Sequence, residues 1–98
     1  MVRIQVSLVS SGGNVLVNGN YVSGTNPVFL ERVVVEELDA QGGVIGVSTR
    51  RLNMSMDPVP GSTLLFSVTP SGSNVRGMRA TAHYLEVDKS ERSAVGNL

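Results

Sequence analysis

Residues 33–68, VVVEELDAQGGVIGVSTRRLNMSMDPVPGSTLLFSV, carry the clearest fold signal in this 98-residue chain. The order is a valine-rich strand, a turn built on Asp39 and Gly42-Gly43, a second strand, a proline-glycine corner and a third strand. Runs of β-branched and apolar residues separated by turn residues at short intervals belong to antiparallel sheets. Parallel βαβ units need a crossover helix, and no segment here has the composition of one.

Working outward, the same grammar repeats. Val2, Ile4, Val6 and Leu8 alternate with Arg3, Gln5 and Ser7, the period of a half-buried strand. Gly12-Gly13 permits a tight turn at positive φ. A second strand is expected over about 15–22, with Val15, Val17 and Tyr21 on one face and Gly19 marking a bulge or a close approach. Ser23–Pro27 forms the next loop. The third strand, about 28–38, lacks clean alternation, and a bulge at Glu36-Glu37 would put Val33, Val35 and Leu38 on one side. The fourth covers about 44–52. Residues 53–61, NMSMDPVPG, turn the corner, because two prolines forbid a central strand. Leu64, Phe66 and Val68 mark the fifth strand. The last spans about 75–87, with Met78, Ala80, Ala82 and Tyr84 facing in and Arg79, Thr81 and His83 facing out. The remainder, DKSERSAVGNL (88–98), has no period and reads as a flexible C-terminal tail or an arm.

The expected architecture is therefore all-β: an immunoglobulin-like antiparallel β-sandwich of six to seven strands, one domain over residues 1–87, with a tail at 88–98. A chain of this length has room for one core and no second domain.

VNGNYVSG (17–24), VVVEELDAQGGVIG (33–46) and PVPGSTLLFSV (58–68) together resemble the FxLYD-type immunoglobulin-like, or fibronectin-type-III-like, β-sandwich domains. The shared pattern is a Gly/Asn-containing strand, a valine-rich strand ending in Asp, a glycine turn, and a Pro-Gly corner before a Phe-containing strand. It spans roughly residues 15–70. The chain departs where that family carries Leu-Tyr before the Asp, having Glu37-Leu38 instead. The resemblance implies a non-catalytic, extracytoplasmic accessory module, with no active-site residues to carry over.

Composition narrows the function classes. Eight basic and eight acidic side chains cancel, so no global field draws the chain to nucleic acid or an anionic membrane. Seven of the eight basic residues are arginine, Lys89 being the lysine. That choice suits fork-shaped contacts at interfaces, or reflects the codon usage of a GC-rich genome. With no cysteine there is neither a disulfide frame nor a cysteine-based metal site. No apolar run approaches a membrane span, and MVRIQVSLV reads as a strand rather than a signal peptide. An upstream signal removed before Met1 would fit an extracytoplasmic domain, whereas Met1 as the native start would fit a virion protein.

The candidate chemistry is thin. His83 is the lone histidine and lies on the expected outer face, so no relay has a second base. Glu36, Glu37 and Asp39 bunch before the turn, but adjacent strand residues point to opposite faces, so the two glutamates cannot converge on one bond. Glu37 and Asp39 share a face without the oxygen count of a calcium site, and they read as edge-protecting charges. Arg50-Arg51 and Arg76/Arg79 are candidates for a basic patch. However, Tyr21, Phe29, Phe66 and Tyr84 are the chain's aromatics, too few for a single-strand platform. The SSGG (10–13) and SGS (71–73) loops open no helix and carry no lysine, which makes them turns rather than phosphate cradles. Met54 and Met56 cap the core or line an adaptable interface.

No catalytic, cofactor-binding or metal residue is assigned, and no small-molecule substrate is indicated. The functional expectation is a non-catalytic structural or protein-interaction module, an accessory domain of a cell-surface or exported protein. The alternative is a virion component, such as a capsid-decorating or tail protein, self-associating through edge strands and the C-terminal arm. A small hydrolase is disfavoured for want of a nucleophile–base pair.

Overall fold

The computed structural model describes residues 2–98, and Met1 with any inference from its being the start lies outside them. Seven strands follow in order: β1 (Arg3–Ser11), β2 (Asn14–Ser23), β3 (Val28–Leu38), β4 (Val44–Met56), β5 (Thr63–Val68), β6 (Gly77–Leu85) and β7 (Glu91–Asn97). No helix occurs among the described residues. The strands form two antiparallel sheets, one ordered β1-β2-β5 and the other β4-β3-β6-β7. The expected immunoglobulin-like sandwich is thus the observed fold.

Alternation places the core where the sequence indicates. Val6, Leu8, Val15, Val17 and Phe66 from the three-stranded sheet meet Val33, Val35, Met78, Ala80 and Ala82 from the other. A second cluster gathers Val2, Ile4, Tyr21, Val28, Leu30, Met56 and Tyr84, and Leu52, Leu64 and Ala94 pack against both. Fully burying a side chain of this kind contributes roughly 1.5–3 kcal/mol. Tyr21 is wholly buried, and its hydroxyl finds a partner by donating to the Asn26 carbonyl at 2.7 Å.

Several local expectations need correction. The C-terminal segment 88–98 is not a free tail: Glu91–Asn97 pairs with β6 from Leu85↔Glu91 to Arg79↔Asn97. Asp88 starts this hairpin, its carboxylate accepting the Ser90 amide at 2.9 Å and the Ser90 hydroxyl at 2.6 Å. The inward side of β7 is Ala94 and Gly96, whose small size lets β1 approach; a Cβ on Gly96 would collide with the Val6 carbonyl. Small inward residues hide the alternation that larger ones would reveal.

The bulge that shifts β3 against both neighbours lies at Glu31-Arg32 rather than at Glu36-Glu37, since Leu30 pairs with Tyr84 and Arg32 with His83. The extra residue moves the inward series from Val28 and Leu30 to Val33 and Val35. Glu37, not Leu38, continues that inward side, opposite Gly46 and Met78. A second shift, against β4 alone, falls at Glu37-Leu38, where Ile45 of β4 is the extra residue. Gly19 sits in regular register with Val6 and Leu64 and marks no bulge. β4 runs on through 53–56, passing Asn53 at φ 48° before the corner, a conformation asparagine tolerates better than most residues. The strand expected over about 75–87 is β6, which is shorter at both ends and runs Gly77–Leu85.

Candidate functional site

The two outer faces differ in chemistry. On the three-stranded sheet, cross-strand rows run Gln5–Asn20–Thr63, Ser7–Asn18–Leu65 and Val9–Leu16–Ser67. These are mostly uncharged amides and hydroxyls, with Val9 and Leu65 also exposed among them.

The four-stranded sheet displays four rows instead. They run Ser55–Phe29–Leu85–Glu91, Arg51–Arg32–His83–Ser93, Thr49–Val34–Thr81–Val95 and Val47–Glu36–Arg79–Asn97. Charge and apolar surface alternate along them. Val47, Val95 and Phe29 are exposed by 62%, 52% and 38%, so this is a face with uncovered apolar area. At one end Phe29, Leu85, Val87 and Pro27 line a shallow apolar dimple of about 160 Å³.

The charges on this face are organised in pairs. Arg79 Nε donates to Glu36 Oε1 at 2.8 Å across β6 and β3. That hydrogen bond, with the guanidinium charge, holds the Glu36 carboxyl below the usual carboxylate range against a smaller effect of desolvation. Arg32 bonds its bulge neighbour Glu31 and lies 4.0 Å from Glu91, which is also 3.9 Å from His83 Nδ1. Arg51 stands opposite Arg32 in register and has no ion-pair partner among the described residues. The bulge sets this up: it turns Arg32 outward into line with Arg51 and His83.

The remaining sequence candidates scatter. His83 is on the outer face as expected. Glu36 and Glu37 do point apart: Glu37 accepts the Ser71 amide at 2.8 Å and the Ser71 hydroxyl at 2.7 Å, fastening the β5–β6 loop. Asp39 caps its own turn, accepting the Gln41 and Gly43 amides at 2.9 and 2.7 Å. Among the described residues no three acidic, histidine or cysteine groups cluster as metal ligands.

The arginines form no common patch. Arg50 faces the sandwich interior and lies 4.8 Å over the Phe66 ring, Arg51 faces outward, Arg79 is spent on Glu36, and Arg76 is exposed, its amide held by the Leu38 carbonyl. Met56 is buried while Met54 is 42% exposed. Gly12 and Gly13 of the SSGG segment form the β1–β2 turn at φ 56° and 86°, Ser10 and Ser11 ending β1, and the SGS segment lies in the β5–β6 loop.

Sequence reasoning passed over Phe29, Arg32, Val47 and Val95. The first two are reset by the bulge and the last belongs to a strand that alternation did not reveal. The one available signal was that Ser93, Val95 and Asn97 share a face if 91–97 is extended.

No protein-family model and no curated protein matches this sequence. Among solved structures, the chain is similar to wild-type OgpA from Akkermansia muciniphila, with 16% identity and a TM-score of 0.46, covering 100% of this chain and 28% of that one. It is likewise similar to catalytically inactive OgpA in complex with an O-glycopeptide substrate, with 15% identity and a TM-score of 0.44, covering 99% and 28%. The chain thus spans little more than a quarter of the length of these structural neighbours.

Proposed function

We propose that this chain is a non-catalytic β-sandwich module that acts by contact, with the outer face of β4-β3-β6-β7 as its working surface. One observation carries the reading. That face combines uncovered apolar residues (Val47, Val95 and Phe29) with charged ones, among them the Glu36–Arg79 pair. The opposite sheet, which also exposes Val9 and Leu65, carries no charge in its central rows. Apolar area rimmed by charge is the chemistry of a protein interface. Carboxylates elsewhere serve the fold: Glu37 holds Ser71, Asp39 and Asp88 cap turns, and Glu86 holds Arg92 at 3.0 Å.

In this reading the module is an accessory domain of a cell-surface or exported protein, in keeping with the FxLYD-like pattern of residues 15–70. A virion role would have to use edge strands or this face, because residues 91–97 are committed to β7 and do not form an arm.

The test is site-directed photocrosslinking in the cell that makes the protein. A photoreactive residue at Val47 is expected to capture a defined protein band, and one at Leu65 on the opposite sheet is not. Capture from Leu65 but not Val47 would move the working surface to the other sheet. Silence at both would count against action by contact.

A further inference from the structure

The outer face of the four-stranded sheet is complementary to itself. Consider a two-fold axis lying in the interface, parallel to the strands and midway between β3 and β6. It places β3 of one copy over β6 of the other and β4 over β7. Each row then meets its own reverse. Phe29 falls over Leu85, Val34 over Thr81, Glu36 over Arg79, Thr49 over Val95, and Val47 over Asn97, all following from the observed registers. The row at one end of the face therefore stacks two Glu36–Arg79 pairs head to tail, so each charge meets its opposite across the interface as well as beside it. The second row sets Arg32 over His83 and Arg51 over Ser93.

Charge supports this occupant. The face carries three arginines (Arg32, Arg51, Arg79) and three glutamates (Glu31, Glu36, Glu91), so two copies meet with no net charge to bury. Arg51 has no ion-pair partner among the described residues, and Glu91 is held only at 3.9–4.0 Å by His83 and Arg32. Packed sheets cross at about 30°. The outer strands, about 7 Å from the axis, consequently drift by about 4 Å along their length. That drift is roughly half a row, and taken toward the Glu91 end of the face it puts Arg51 of one copy between Ser93 and Glu91 of the other.

We infer that this chain forms an isologous dimer through the outer face of β4-β3-β6-β7, closed by Arg51 of each copy against Glu91 of its mate. The inference rests on the contact reading of that face and names a second copy as the occupant. An isologous contact of this kind closes on itself and stops at two. Four strands at about 4.8 Å spacing give a patch narrower than a standard interface, so the dimer is a weak one, formed in the micromolar-to-millimolar range.

The experiment uses the full chain in sedimentation velocity from about 10 μM to 1 mM, with folding of every variant checked by circular dichroism and thermal melting. A monomer–dimer equilibrium is expected. R51E and E91R each weaken it by about tenfold or more, and the R51E/E91R double variant recovers it.

Geometry is read separately. Because the chain has no cysteine, T49C and V95C chains can be mixed and treated with a short bis-maleimide. The mixture is expected to give the T49C–V95C heterodimer. Neither variant alone should be joined, since β4 and β7 stand about 14 Å apart. A monomer throughout the concentration range, or crosslinks between identical positions, overturns the inference. If the chain is monomeric and Val47 still captures a different protein in the cell, the contact reading stands and only the dimer falls.

Discussion

Gly96 of β7 lies against the carbonyl of Val6 of β1 so closely that no Cβ fits between them. This approach shuts one side of the sandwich, joining the edges of the two sheets where Ala80, Ala82 and Ala94 also keep the inward surface low. Overpacking of such a contact costs typically 1–3 kcal/mol. Gly96→Ala is expected to lower the melting temperature by several degrees, since about 1 kcal/mol shifts a domain of this size by roughly 4–8 °C. An unchanged melting curve would mean that β7 can draw back freely and is not closing the sandwich.

Glu37 links β3 to the β5–β6 loop through both of its carboxylate oxygens. The same carboxylate occupies the space beside Gly46, where a Cβ would come within 2.5 Å of Oε1. Glu37→Ala and Gly46→Ala should therefore act alike, the first removing the carboxylate and the second displacing it. Each is expected to cost about 1 kcal/mol and to speed hydrogen exchange of the Ser71 amide. Faster exchange in one variant but not the other would separate the two roles.

Tyr21 is fully buried and donates to the Asn26 carbonyl, tying β2 to the loop before β3. Tyr21→Phe keeps the ring in the core and removes only that bond. A loss of about 1 kcal/mol is expected in urea unfolding, with an unchanged denaturant slope. A changed slope would signal a rearranged core instead.

Two carboxyls give stability a pH dependence of known sign. Glu36 is lowered chiefly by the hydrogen bond from Arg79, and Asp88 chiefly by the hydrogen bond from the Ser90 hydroxyl. Both ionised forms are thus favoured by folding. Their contribution is complete above the ordinary carboxylate range and is lost as pH falls through and below it. Melting temperature should hold near neutrality and decline on acidification, and Glu36→Gln should flatten part of that decline. A tyrosine supplies the opposite limb: Tyr84 is raised chiefly by burial, so its contribution is full below the ordinary phenol range and is lost as pH rises through and above it.

The strands that were legible from residue order are those whose inward positions are large. Val2 to Leu8, Val15 to Tyr21, Leu64 to Val68 and Met78 to Tyr84 alternate visibly, and the structure buries or half-buries those positions. β7 was illegible because Ala94 and Gly96 fill its inward positions, and their size answers to the nearness of β1, a strand some 90 residues earlier in the chain. The β3 bulge was visible as broken alternation but was assigned to the wrong residues. Two adjacent glutamates looked like the interruption, while the break shared with both neighbouring strands falls at Glu31-Arg32 and only the pairing with β4 shifts again, at Glu37-Leu38. The separation of Glu36 from Glu37 was legible, because strand geometry alone divides neighbours between faces.

Period, turn residues and the absence of a crossover helix were enough to establish an antiparallel sandwich, because those signals are local and act through backbone geometry. The working surface is a different matter. Arg51, Arg32 and His83 come from three strands, and their alignment depends on registers set by cross-strand pairing and one bulge. The stretch 33–68 supplies two of the four strands of that face, β3 in part and β4 whole. Its partners β6 and β7 come from the last third of the chain, and pairing across that distance is written in packing rather than in any local run of residues.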